Sequence, residues 1–276
     1  MRIGLIAGSG QFPLIFTRAA KKKGYSIYAA AYINEADPIL GEHVDDLKWL
    51  HLGQINRLIK FFKKNGIQQA VMIGGVRKTG IFSDIKPDIK AISLITRLQT
   101  SHDDGILRAF SNLLEKQGIK ILSSTFLLPE LVARAGCWTK RKPSALEKQD
   151  IQIGWRMAKA IGRMDIGQCV VVGNGTVLAV EAIEGTDAAI KRGGSFGRGC
   201  AVAVKVCKPN QDRRFDMPAV GTQTIQTMCE AGVSALAIEA GKAIVFDREE
   251  MVALADKHGI AVVAIEQEEQ EQWNIL

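Results

Sequence analysis

In the first half of the chain, short apolar runs alternate with stretches that have helical periodicity. The apolar runs lie at residues 3–7, 26–32, 69–73 and 119–122, and the helical stretches at 12–23, 52–64 and 104–117. This alternation is typical of a parallel sheet whose strands are joined by crossover helices. We therefore predict an α/β protein that begins with a Rossmann-like parallel sheet domain.

The second half of the chain has a different pattern. Two apolar runs, residues 168–172 and 176–182, flank an Asn174-Gly175 turn, which predicts a β-hairpin. Further strands are expected at 201–206, 235–238, 243–246 and 260–264, and helices at 222–230 and 248–257. This mixture predicts a C-terminal mixed α/β domain.

Between the two halves the periodic pattern is interrupted by Pro129, Gly136, Pro143 and a basic cluster. Such interruptions are common at domain boundaries. We predict an N-terminal nucleotide-binding domain over residues 1–130, a linker over 131–150 and a catalytic domain over 151–276.

Composition restricts the classes of protein to consider. No apolar run reaches the length of about 18 residues that a membrane-spanning helix needs, and the glycine-rich N-terminus does not resemble a signal peptide. The five cysteines have no C-x-x-C or zinc spacing, so we expect buried, reduced thiols. These features predict a cytoplasmic protein.

The charge balance favours an anionic partner, since the formal net charge is +7. Nucleic acid is not expected, because aromatic residues make up only 6% and no basic run alternates with aromatic residues. Phosphorylated ligands and an anionic membrane surface remain. A homodimer is left open.

The first predicted strand ends in a glycine-rich turn, Gly8-Ser9-Gly10-Gln11, before a helix. Such a turn directs backbone N–H groups and the positive end of a helix at one place, which suits a phosphate group. Pro13 stands where the dinucleotide fingerprint needs a third glycine, so a nucleotide or sugar nucleotide is favoured over a nicotinamide or flavin cofactor. A tight turn without a ligand is the alternative.

Gly74-Gly75-Val76 follows another strand and is expected at the same sheet edge. Arg77 and Lys78, which come next, are either phosphate contacts or solvated charges. Asp103 and Asp104 precede a helix, and two interpretations stay open: a helix cap, or help in holding a metal ion or a ribose.

Residues 184–221 combine seven Lys or Arg residues and six glycines with carboxylates. Thr186 and Asp187 begin a short helical pattern that is expected to end at Gly193-Gly194. Pro209 and Pro218 exclude a regular helix further on, so an extended loop is predicted there. Its polar residues are Lys205, Lys208, Gln211, Asp212, Arg213 and Asp216. They are either a site for a phosphorylated substrate or salt bridges between Asp212, Asp216 and Arg213-Arg214.

Three stretches of the chain resemble the UDP-2,3-diacylglucosamine pyrophosphatases of bacterial lipid A synthesis: GLIAGSGQFP, EGTDAAIKR and VKVCKPNQDRRFDMPAVG. The resemblance extends along essentially the whole chain. It implies a magnesium-dependent (Mg²⁺) hydrolase that converts UDP-2,3-diacylglucosamine to UMP and 2,3-diacylglucosamine 1-phosphate. It also implies that the lipid-linked sugar nucleotide lies between two domains, and that Asp216 is the essential acid.

From the residues and this resemblance together we expect three sets of functional residues. The catalytic set is Asp216, Lys205, Lys208 and Arg213; the substrate-binding set is Gly8, Gly10, Gln11, Gly75, Val76, Thr186, Asp187 and Gln211; the metal ligands are Asp216 and Asp187. Peripheral contact with the inner face of the inner membrane is expected from the basic surface. The competing functions are an NAD(P)-dependent Rossmann-type oxidoreductase and a non-catalytic nucleotide-sugar or lipid-binding protein.

Overall fold

A computed structural model describes residues 1–76, 86–96, 103–209, 211–214 and 216–266. The chain divides into two compact units. The N-terminal unit comprises Met1–Pro129 together with Asp212–Asp216, and the C-terminal unit comprises Glu130–Gln211 and Met217–Leu276. A short piece from the second half of the sequence therefore belongs to the unit formed by the first half.

The N-terminal unit contains a five-stranded sheet in which every pair of neighbouring strands is parallel. Its strands are β1 (Arg2–Ala7), β2 (Ser26–Tyr32), β3 (Asp46–Leu50), β4 (Gln69–Ile73) and β5 (Lys120–Leu122). The strand order is β3-β2-β1-β4-β5. The direction of winding reverses between β1 and β4, and ligands of open α/β sheets bind in the crevice at such a reversal.

The described helices of this unit connect the parallel strands. They are α1 (Phe12–Lys22), α2 (Ile55–Lys64), α3 (Ile89–Thr96) and α4 (Asp103–Lys116), with a 3-10 helix at Pro38–His43. In α2 the residues Ile55, Leu58, Ile59 and Phe62 are buried on one face, as the periodicity predicts. Strand β3 was not predicted, because this edge strand is largely exposed and includes Asp46 and Lys48.

The C-terminal unit contains a six-stranded mixed sheet in the order β6-β13-β11-β9-β7-β8 and a two-stranded sheet, β10-β12. The strands are β6 (Gly136–Cys137), β7 (Cys169–Gly173), β8 (Thr176–Val180), β9 (Ala201–Lys205), β10 (Ala219–Val220), β11 (Val233–Glu239), β12 (Ile244–Val245) and β13 (Ala261–Ile265). The helices are α5 (Ala145–Arg163), α6 (Thr186–Gly197), α7 (Thr222–Ala231) and α8 (Arg248–Lys257). The predicted α/β class, with a parallel N-terminal sheet and a mixed C-terminal one, is confirmed.

Helices cover both faces of the six-stranded sheet. Successive residues of a strand point to opposite sides, so one strand contributes apolar side chains to both faces. On one face, Val170 and Val172 pack with Ile151 and Trp155 of α5. On the other face, Val171 packs in a cluster that includes residues of α6, α7 and α8. The hydrophobic core of this unit is therefore double, with the sheet between its two halves.

The stretch predicted as a linker, 131–150, differs in the structure. Gly136–Cys137 pairs with β13 as an antiparallel strand, and α5 begins at Ala145. A capping box starts this helix: the Ser144 hydroxyl accepts from the Glu147 backbone N–H at 3.2 Å, and the Glu147 carboxylate accepts from the Ser144 N–H at 2.8 Å. The S-x-x-E spacing was the signal that sequence analysis overlooked.

Helix α6 passes through Gly193 and Gly194, where it was expected to end. A Cβ atom at Gly193 would lie 2.5 Å from the Val171 side chain, and one at Gly194 would overlap the Ala231 carbonyl oxygen. These glycines therefore allow α6 to approach β7 and α7 closely. They do not terminate the helix.

We expect Gly194→Ala to destabilise the protein by about 1–3 kcal/mol, because a backbone carbonyl cannot give way to the added methyl group. The matched control is Ser195→Ala, at the next, exposed position of the same helix, where we expect a change within about 0.5 kcal/mol. Urea unfolding measures both values. A Gly194→Ala variant as stable as the wild type would contradict this account of the packing.

Candidate functional site

The loops that follow β1 and β4 are bonded to each other. The backbone N–H of Gly8 donates to the Ile73 carbonyl at 2.9 Å, and Ser9 and Gly75 exchange backbone hydrogen bonds of 2.8 and 3.1 Å. The Ser9 hydroxyl also donates to the Gly75 carbonyl at 2.9 Å. The predicted meeting of the two glycine loops at one sheet edge is present in the structure.

The glycines of these loops have two different physical roles. A Cβ atom at Gly8 would overlap the Gly75 carbonyl, and one at Gly74 would lie 2.7 Å from the Gly8 carbonyl carbon. Gly10 instead has a φ of +90° and open space around its Cα. The first two glycines allow the loops to touch, whereas Gly10 allows the turn into α1.

The start of α1 keeps the features expected of an anion-binding turn. Gln11 is the N-cap and makes no side-chain capping bond, Pro13 lies in the first turn, and no acidic residue does. Gln11 is exposed and Val76 is half-buried. The alternatives for Arg77 and Lys78 fall outside the described residues, as do those for the side chains of Asp103 and Asp104, although α4 does begin at Asp103.

The carboxyl end of β9 leads into a loop, residues 206–218, which we call the excursion loop. Lys205, the last residue of β9, is buried rather than on the loop, and its Nζ donates to the Ala219 carbonyl at 2.7 Å. Ala219 begins β10, which pairs with β12. The Lys205 ammonium therefore joins the two ends of the excursion loop.

The side chains of Lys208 and Gln211, in the first part of this loop, bond to other protein groups. The Lys208 Nζ lies 2.5 Å from an Asp165 carboxylate oxygen. The Gln211 side-chain oxygen accepts from the Lys208 backbone N–H at 3.0 Å, and the Gln211 backbone N–H donates to the Lys208 carbonyl at 3.1 Å. These contacts give both side chains a structural role in the shape of the loop.

The tip of the loop, Asp212–Asp216, belongs to the N-terminal unit. Arg214 pairs there with Asp212 and Glu115, each at 2.8 Å, and its carbonyl accepts from the Ser124 N–H at 2.6 Å. Burial raises the pKa of the Asp212 carboxyl, but hydrogen bonds from Arg214 outweigh this and the pKa is lowered overall. The alternative of salt bridges is thus correct for Asp212 with Arg214.

The other two charged residues of the tip are Arg213 and Asp216. Arg213 is exposed, and within the described residues no hydrogen bond or ion pair holds its guanidinium group. Asp216 is half-buried, and its backbone N–H donates to the Asp212 carbonyl at 3.0 Å. The catalytic role of Arg213 and Asp216 stays a prediction.

A second polar cluster lies at the edge of the C-terminal sheet where β8 ends. The Thr186 hydroxyl donates to the buried Glu181 carboxylate at 2.9 Å, and Glu181 also accepts from the Gln168 N–H at 3.1 Å. Asp187 is exposed in the first turn of α6. Neither Thr186 nor Asp187 caps that helix, since the N-cap is Gly185.

The charges of this cluster act on the buried thiol of Cys169. Burial raises its pKa to about 12, the charges of Glu181 and Asp187 add to the increase, and that of Lys205 opposes it. Cys169 and Cys207 are buried as expected, but Cys200 is exposed; all five cysteines are free thiols. The expectation of burial is therefore wrong for Cys200, which lies just past the end of α6.

Sequence analysis missed two buried acids, Glu181 and Glu239. Each follows an apolar strand directly or ends it, in the strings TVLAVE and SALAIE. They are 7% and 1% exposed. An acid at the carboxyl end of an apolar strand was the available signal, because a charge is buried only where it has partners.

The predicted metal ligands lie in different units: Asp216 in the N-terminal unit and Asp187 in the C-terminal one. Among the residues that the structure describes, no group of three or more His, Cys, Asp or Glu side chains is placed to hold a metal ion. None of the described helices is long and apolar enough to cross a membrane.

Comparison with known protein families decides the family of this chain. Residues 2–131 match the model of the LpxI N-terminal domain, and residues 134–263 match that of the LpxI C-terminal domain. The chain belongs to the LpxI family. It is also 31% identical to the UDP-2,3-diacylglucosamine pyrophosphatase LpxI of Caulobacter vibrioides, over 97% of this chain and 99% of that one.

Similarity to solved structures is much weaker. Phosphoribosylglycinamide synthetase from Anaerococcus prevotii is 12% identical with a TM-score of 0.27, and the match covers 64% of this chain and 38% of that one. CobK precorrin-6A reductase is 10% identical with a TM-score of 0.33, over 99% and 90% of the two chains. At these TM-scores neither match supports a conclusion about function.

Proposed function

We propose that this LpxI-family protein hydrolyses the diphosphate of UDP-2,3-diacylglucosamine, releasing UMP and 2,3-diacylglucosamine 1-phosphate in lipid A biosynthesis. The observation on which the proposal rests is the match to both LpxI domains, together with a full-length relative named for this activity. Water attacks a phosphorus atom, the bond from that phosphorus to the bridging oxygen breaks, and each product keeps one phosphate.

In this proposal the uridine end of the substrate lies at the crevice between β1 and β4. The residues that would contact it are Gly8, Gly10, Gln11, Gly75 and Val76. The open space at Gly10 and the uncapped first turn of α1 support this assignment, because backbone N–H groups there suit a phosphate.

Asp216 is proposed as the acid that accepts a hydrogen bond from the attacking water and orients it. Arg213 is proposed to contact the diphosphate oxygens, because it is an exposed cation in the same loop tip as Asp216. Lys205 and Lys208 are bonded to Ala219 and Asp165. We therefore assign them to shaping the loop, with only a long-range electrostatic effect on the phosphates.

Magnesium is proposed as the cofactor, with Asp216 as its protein ligand and Asp187 as the second candidate. The residues fit a weakly held ion: magnesium keeps several water ligands and needs only one or two carboxylates in addition to substrate phosphates. When bound, the ion would neutralise charge on the phosphate oxygens. Asp212 is less suitable as a ligand, because its carboxylate is committed to Arg214.

We expect Asp216→Asn to lower the rate of UMP release from UDP-2,3-diacylglucosamine by about 10² or more, since the amide removes the charge that orients water and metal. The assay compares excess magnesium with EDTA, and thermal unfolding confirms that the variant is folded. Substrate binding without UMP release by the wild type would favour a binding protein. Reduction of a substrate with bound NAD(P)H would favour an oxidoreductase.

Arg213 and Arg214 form a matched pair of variants. We expect Arg213→Ala to lower turnover about 10–100-fold with little change in stability, because that side chain is exposed. Arg214→Ala, which removes the ion pairs to Asp212 and Glu115, is expected to lower the midpoint of urea unfolding clearly. Equal turnover in Arg213→Ala and wild type would remove Arg213 from the site.

We also propose that the protein acts in the cytoplasm, in peripheral contact with the inner face of the inner membrane, where a diacylated substrate would lie. The net charge of +7 supports this contact. We expect sedimentation with vesicles that contain anionic lipid at low salt, loss of binding at high salt, and no binding to zwitterionic vesicles. Salt-insensitive or absent binding would contradict the proposal. Sedimentation equilibrium would test the homodimer.

A further inference from the structure

A buried carboxylate holds the start of the excursion loop. Glu239 ends β11 with 1% of its surface exposed. One of its oxygens accepts from the Lys159 ammonium at 2.5 Å and from the Cys207 backbone N–H at 3.0 Å, and the other accepts from the Lys242 ammonium at 2.8 Å. The Glu239 carboxylate is therefore satisfied by three donors, one of which is loop backbone.

Lys159 also bonds to the backbone of Cys207. Its Nζ donates to the Cys207 carbonyl at 2.9 Å as well as to Glu239, and it lies 5.7 Å from the centre of the Trp155 ring. Both backbone polar groups of Cys207 are thus bonded to the two members of one ion pair. Cys207 lies two residues past the end of β9.

Burying an ion pair costs solvation free energy, and well-packed apolar residues often stabilise a fold as much or more. What apolar residues cannot do is bond the N–H and carbonyl of a residue that has just left a sheet. The Lys159–Glu239 pair supplies those bonds at Cys207, and the Lys205–Ala219 bond fixes the other end of the loop. In the sequence, Asp216 lies between these two fixed ends.

We propose that Glu239, together with Lys159, is a positioning residue for hydrolysis: it fixes the excursion loop so that Asp216 is held at the reacting phosphate. This inference rests on the proposed function. It adds two residues outside the loop, Lys159 of α5 and Glu239 of β11, to those proposed to act in hydrolysis.

The test compares Glu239→Gln with Glu147→Gln. Glu147 is also a buried carboxylate of the C-terminal unit, but its carboxylate bonds within the described residues go to Arg141 at 2.5 Å, to Ser144 and to Ser234 of β11, all outside the excursion loop. We expect Glu239→Gln to lower kcat about 10-fold or more with KM changed less than about 3-fold, because small misplacement of a catalytic group is costly. Glu147→Gln is expected to keep kcat within about 2-fold, whatever stability it loses.

A second pair of variants protects the test against a Glu239→Gln protein that does not fold. Lys159→Met is expected to lower kcat in the same way, whereas Lys159→Arg, which keeps a cation beside Glu239, recovers most of it. If both Glu239→Gln and Lys159→Met have the kcat of Glu147→Gln, the proposal is wrong.

Hydrogen exchange separates this proposal from the proposed function. We expect amides of residues 206–218 to exchange faster in Glu239→Gln than in wild type, and at the wild-type rate in Glu147→Gln. Faster exchange with unchanged kcat overturns the positioning role. If the wild type releases no UMP, the proposed function fails. In that case, unchanged amide exchange in Glu239→Gln would independently show that Glu239 does not fix the excursion loop.

Discussion

The bond between the buried Lys205 ammonium and the Ala219 carbonyl is the interaction on which the candidate site depends. It connects the end of β9 to the start of β10, so the thirteen-residue loop 206–218 begins and ends at one place. A lysine buried in a strand is unusual, because its charge must be satisfied there. Here the charge closes a loop, and its burial is explained by that geometry.

The same principle applies to the other buried charges of this unit. Glu239, Glu181 and Asp150 each accept bonds from backbone N–H groups in the connections beside the strands: those of Cys207, of Gln168, and of the Asn174-Gly175 turn. Ion pairs and carboxylates thus stabilise the connections where the chain leaves its sheet. The two faces of the sheet are stabilised mainly by apolar packing.

The sequence was sufficient to predict the elements whose residues have a clear period. Strands β1, β2 and β4 and helix α8 lie within a residue of their predicted bounds, because burial on one or both sides imposes apolar residues at fixed spacing. Edge strand β3 was not predicted, because its exposed positions accept charged residues. The predicted end of α6 was too early, because close packing requires glycine inside that helix. The polar residues of the loop were identified from the sequence, and their role as a site stays a prediction. Their partners, such as Asp165 for Lys208 and Glu115 for Arg214, are distant in sequence and had no local signal.

The division of the chain has a consequence for how the protein is made. Residues 212–216 complete the N-terminal unit, yet more than eighty residues of the C-terminal unit precede them in the sequence. The first half of the chain therefore emerges from the ribosome before the residues that complete its unit have been synthesised. The N-terminal unit reaches its final form only once the loop tip has been synthesised, so the first half of the gene alone does not encode that complete unit.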